Sequence, residues 1–165
     1  MRTELERIIP DEILSITNLT GSISDIQDDP DSPDGNWIVT LSQNTNVNIR
    51  IGFASTNFRV TPNSTQEFKF HVRKNSTGGN TTTYNVRLYE SGVLRATSDT
   101  FTVSATETRS FTWNSNLLTS SAFGQNVQFE LAQLGGGTTG TRRWIEIGAV
   151  EWNANTIFPN TITTT

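Results

Sequence analysis

From residue 47 onward, apolar and polar residues alternate one for one in short runs, and this period of two is what most restricts the fold. Val47, Ile49 and Ile51 are separated by Asn48 and Arg50. Phe68, Phe70 and Val72 are separated by Lys69 and His71; Tyr84, Val86 and Leu88 by Asn85 and Arg87; Val127, Phe129 and Leu131 by Gln128 and Glu130. Successive side chains of an extended strand point to opposite faces, so each run predicts a strand with one face on a core and one in water. Phe101 and Val103, Phe111 and Trp113, and residues 12–18, 37–41 and 142–152 add further strands. Gly-, Asn- and Ser-rich turns at 75–80, 90–92 and 135–140 separate them. About nine or ten short strands with turn signals between them predict an all-β, antiparallel two-sheet sandwich, jelly-roll-like first and another Greek-key sandwich second.

The 165 residues suit one domain. Its expected division is an N-terminal arm over 1–11, interrupted by Pro10, a β-sandwich over 12–153 and a Thr-rich C-terminal tail over 154–165. Hydrophobic residues are 33% of the chain and charged residues 17%. Disordered chains pair low hydrophobicity with high charge, and this one lacks the charge. A formal net charge of −4 with no dense Lys/Arg cluster argues against a nucleic-acid partner. No apolar run is long enough to span a membrane as a helix. The opening residues carry charges where a signal peptide needs an apolar stretch, so synthesis in a cytoplasm is expected. With no cysteine there is neither a disulfide framework nor a thiolate metal site.

Little in the sequence points to catalysis. The one histidine, His71, lies on the polar face of a strand pattern, and no nucleophile elbow accompanies it, so a non-enzymatic protein is expected. The densest group of ligating side chains is Asp28, Asp29, Asp31 and Asp34, interrupted by Pro30 and Pro33. Oxygen-rich loops of this kind bind calcium, and these four are the candidate metal ligands. The competing expectation is a rigid turn in which the Asp side chains cap backbone amides. No other cofactor is implied. Trp113, Trp144 and Tyr89 are the candidate sugar-stacking aromatics, against the plainer expectation that aromatics fill a small core. Over 144–152, Ile145, Ile147 and Ala149 alternate with Trp144, Val150 and Trp152 on the other parity. A strand apolar on both faces must be covered on both. The second face is therefore a candidate interface, with cover by a terminal segment as the alternative. Leu5, Ile8, Ile9, Trp144 and Trp152 are the candidate interface residues.

The segment 24–37, Ser-Asp-Ile-Gln-Asp-Asp-Pro-Asp-Ser-Pro-Asp-Gly-Asn-Trp, resembles a phrase shared by small virion structural proteins of tailed bacteriophages and prophages. Residues 13–21 and 145–154 fit the same resemblance. It implies a virion component with a sandwich fold, most naturally a capsid decoration protein. Such a protein is a homo-oligomer, often a trimer, that is assembled in the bacterial cytoplasm and held by extended termini on the major capsid protein or other virion subunits. The competing expectation is a carbohydrate-binding sandwich module of a tail, fibre or secreted protein.

Overall fold

The computed structural model describes residues 2–53, 59–75, 81–119, 126–135 and 144–158. The predicted turn tips at 76–80 and 136–140, Arg142-Arg143 and the tail beyond 158 lie outside the described residues.

The described residues form an antiparallel β-sandwich. One sheet contains β1 (Arg2–Ile8), β13 (Ile145–Phe158), β7 (Thr65–Lys74) and β11 (Glu107–Asn114) in that order, with β6 (Arg59–Val60) also pairing with β13. The other runs β10 (Phe101–Val103), β8 (Thr82–Glu90), β12 (Val127–Gly135), β5 (Asn48–Gly52) and β2 (Glu12–Thr17), with β9 (Val93–Thr97) also pairing with β8. A small ribbon joins β3 (Leu19–Thr20) to β4 (Val39–Thr40). The alternating apolar residues meet between the sheets. Phe68, Phe70 and Val72 of β7, Tyr84, Val86 and Leu88 of β8, and Phe129 of β12 have no exposed surface. Phe68 packs edge-on to Phe129 with ring centroids 5.5 Å apart, a favoured aromatic geometry.

Both termini depart from expectation. Arg2–Ile8 is not a free arm. It pairs residue for residue with β13, Ile8 opposite Trp152 and Arg2 opposite Phe158. The reason is backbone satisfaction: β13 continues past the end of its pairing with β7 at Asn153 and needs a partner for its other edge. Ile8 packs against the core, and the Arg7 guanidinium pairs with the buried Glu151 carboxylate. Residues 154–158, expected in a tail, extend β13.

The two-faced reading of β13 is corrected by a bulge. Ile147 lies opposite Val72, but Ala149 lies opposite His71, so Gly148 is an extra residue. One inserted residue reverses which parity faces inward. Ile145 and Ile147 therefore share the core face with Val150, Trp152 and Ala154. The outward set is Glu146, Ala149, Glu151 and Asn153, opposite Arg73, His71, Lys69 and Glu67.

Candidate functional site

The acidic loop covers that outward face. Trp37 lies over Gly148, where an added Cβ would be 3.0 Å from its ring. The Arg73 guanidinium is 4.2 Å from the Trp37 ring centre, and the His71 ring centre is 5.1 Å away. Asp31 pairs with Lys69, and the Thr108 hydroxyl donates to the Pro30 carbonyl at 2.9 Å. That hydroxyl has one proton, so its 2.8 Å contact with His71 Nδ1 makes the ring the donor there. The remaining carboxylates largely serve the loop itself. Asp28 accepts from the Asp34 amide, Asp29 from the Asp31 amide at 2.9 Å, and Asp34 from the backbone and side chain of Asn36. Among the described residues, no group of three or more His, Asp or Glu converges as a metal site. The structure thus places Asp28, Asp29, Asp31 and Asp34 on one loop without bringing them to a common centre.

Burial lowers the His71 pKa, and the Asp28 charge only partly opposes this. The unfolded chain therefore binds the proton more readily. The stability associated with neutral His71 is present above the unfolded pKa of 6.5 and is lost as pH falls below it toward the depressed folded value. Asp28, raised chiefly by desolvation, titrates with the opposite sign. The expected result is that wild-type protein loses more stability than His71→Gln between about pH 7 and pH 5 in urea denaturation. Parallel curves would remove His71 as the source.

The candidate interface and sugar-stacking tryptophans belong to the core. Trp144 and Trp152 have no exposed surface, and Trp113 has 5%. Trp144 Nε1 donates to the Thr45 carbonyl at 2.9 Å, and Trp152 Nε1 to Gln66 Oε1 at 3.0 Å. Tyr89 is half-buried, and the Arg50 guanidinium lies 3.6 Å above its ring. Trp113 and Trp144 therefore offer no free ring face, and the Arg50 guanidinium covers one face of Tyr89. Of the aliphatic interface candidates, Leu5 is 70% exposed and Ile9 43%, whereas Ile8 is half-buried.

A different pair of aromatics lines an open cleft. Where β9 and β10 end one sheet and β11 ends the other, the sheet edges leave a cleft of about 380 Å³ lined by Thr97, Ser98, Asp99, Phe101, Ser110, Phe111 and Thr112. Phe101 stacks on the buried Tyr84 with centroids 5.2 Å apart, and Phe111 lies 6.5 Å from Phe68. Both rings are half-buried and packed against core aromatics, and the Arg109 guanidinium lies 5.9 Å over the Phe101 ring centre. The Ser98 hydroxyl is committed to the Asp99 carbonyl and the Val86 amide. Thr97, Asp99, Ser110 and Thr112 are exposed, and their side chains make no hydrogen bond among the described residues. Phe101 and Phe111 read in the sequence as ordinary core positions of two strands. Their partial exposure follows from β10 and β11 being edges, which the alternation does not specify.

No protein-family model matches this chain, and no curated protein does. Solved structures with a similar outline include a family 35 carbohydrate-binding module from Clostridium thermocellum, with 8% identity and a TM-score of 0.47 over 92% of this chain and 98% of that one. A family 35 module from Cellvibrio japonicus Abf62 gives 8% and 0.45, over 95% and 99%. A module from Cellvibrio mixtus lichenase 5A in complex with cellotriose gives 10% and 0.43, over 90% and 95%. At identities and scores this low the likeness is one of outline.

Proposed function

We propose that this domain is a non-catalytic carbohydrate-binding β-sandwich and that the cleft between β9, β10 and β11 receives the sugar. The observation that carries this reading is the composition of the cleft: two half-buried phenyl rings beside one free carboxylate and three free hydroxyls. Sugars present apolar C–H faces and hydroxyls that both donate and accept. Rings packed against core aromatics take the first at little entropic cost, and Asp99, Thr97, Ser110 and Thr112 take the second. Phe101→Ala is expected to weaken binding at least about tenfold in calorimetric titration of a saccharide panel. Phe101 also touches the core, so Asp99→Asn, on an exposed side chain, is the companion variant and is expected to act in the same direction without loss of fold. Undiminished binding by both variants would overturn the reading.

A second reading, assembly as a virion subunit decorating a capsid, is favoured by another surface. β1 and β2 are the terminal strands of their sheets, and Leu5, Ile9, Leu14 and Ile16 around them are 70%, 43%, 41% and 39% exposed. An unpaired strand edge with exposed apolar side chains offers contacts to another chain. If this edge carries assembly, sedimentation velocity on the wild type shows an oligomer and Leu5→Glu a monomer; a monomeric wild type would count against self-association.

A further inference from the structure

The cleft is continuous with a polar row that crosses the outer face of the six-stranded sheet. The strand registers set Thr97 of β9 opposite Arg87 of β8, Arg87 opposite Glu130 of β12, Glu130 opposite Arg50 of β5, and Arg50 opposite Ser15 of β2. Directly opposed residues share a face, so these five side chains form one line perpendicular to the strands, and Thr97 at its end also lines the cleft. Neighbouring strands lie about 4.8 Å apart, giving the row a length of about 19 Å.

The row is held rigidly. Glu130 Oε2 accepts from Arg50 Nε at 3.1 Å and Nη2 at 3.0 Å, and Glu130 Oε1 accepts from Arg87 Nη1 at 3.1 Å. The Tyr89 ring lies against the Arg50 guanidinium. Both guanidiniums are thereby fixed in orientation while keeping further N–H groups, since each has five and Glu130 takes only some of them. The ends of the row carry hydroxyls, which both donate and accept. The hydroxyls of Thr97 and Ser15 make no hydrogen bond among the described residues. Two guanidiniums face one carboxylate in the row, but the Glu12 side chain, packed over Gly52 beside Gln128, supplies a second negative charge. The balance selects hydrogen-bonding groups rather than net charge.

Fixed guanidinium donors flanked by unpartnered hydroxyls, in a line that begins at a sugar-sized cleft, match a chain of hydroxyls. We infer that the ligand is a neutral oligosaccharide chain: its end enters the Phe101–Phe111 cleft, and the chain continues over Thr97, Arg87, Glu130 and Arg50 toward Ser15. This inference rests on the cleft reading above and specifies the length and direction of its ligand.

The test is a titration of full-length protein with cello-, xylo- and malto-oligosaccharides, from the monosaccharide to the hexasaccharide, followed by calorimetry and by amide chemical shifts. For whichever series binds, affinity is expected to rise at least about tenfold from monosaccharide to hexasaccharide. The hexasaccharide should shift the amides of Arg50 and Ser15, and the monosaccharide only those of the cleft. Arg50→Gln, which leaves Arg87 on Glu130, should lower hexasaccharide affinity while leaving monosaccharide affinity unchanged. Binding that is independent of length, with shifts confined to the cleft, would overturn the chain path and leave the cleft standing. No binding by any series would overturn both.

Discussion

Trp152→Ala is expected to lower the stability of the isolated monomer by about 3–5 kcal/mol, the range for truncating a large buried aromatic. Trp152 has no exposed surface; it lies edge-on to Phe53 at 5.8 Å and tilted against Trp113 at 5.9 Å. Removing the indole opens a cavity where β13, β7 and β11 meet. It also removes a donor from Gln66 Oε1, which keeps the Asn155 amide at 3.1 Å and is therefore not left bare. Trp152→Phe should accordingly cost less, about 1–2 kcal/mol, because most of the ring volume stays and one hydrogen bond goes. Urea denaturation of monomeric protein decides the matter. A tryptophan serving an interface would leave monomer stability unchanged on truncation, and a shift in assembly with no shift in the urea midpoint would contradict the buried position.

Gly148→Ala is expected to cost about 1–3 kcal/mol, as overpacking a filled site does. The new methyl would lie 3.0 Å from Cε3 and Cζ3 of Trp37. That ring cannot move away freely, because Arg73 lies over it and His71 beside it. Arg73 is in turn held by Glu146 at 2.9 Å, and Glu146 also accepts the Thr40 amide at 2.7 Å. Displacing Trp37 therefore disturbs the seat of the whole acidic loop. A double-mutant cycle isolates the effect: in a Trp37→Ala background the same glycine substitution should be close to neutral. Additive costs would show that Gly148 is needed for the bulge itself and not for contact with the indole.

These two residues also show where reading the chain succeeds and where it stops. The strands around Phe68–Val72, Tyr84–Leu88 and Val127–Leu131 were legible because alternation is local and each residue's face follows from its parity. Beyond Gly148 the same rule misassigns Val150 and Trp152, since one extra residue in a bulge reverses parity and nothing in the spacing announces it. The acidic phrase was visible as a loop. That it lies across β7 and β13 with Trp37 on a glycine depends on contacts more than one hundred residues apart in the chain, as between Thr40 and Glu146.

The candidate site was the least legible part. Asp99, Phe101 and Phe111 are unremarkable in the sequence, and Thr97, Arg87, Glu130, Arg50 and Ser15 come from five separate strands. By itself the sequence determined an all-β fold of short strands with one face on a core, because a period of two puts alternate side chains on opposite faces. Only the tertiary structure decided which strands are edges, and therefore which aromatics stay partly exposed and which polar residues line up. Edge position and register follow from long-range pairing, and strand-local chemistry is the same on either side of that choice.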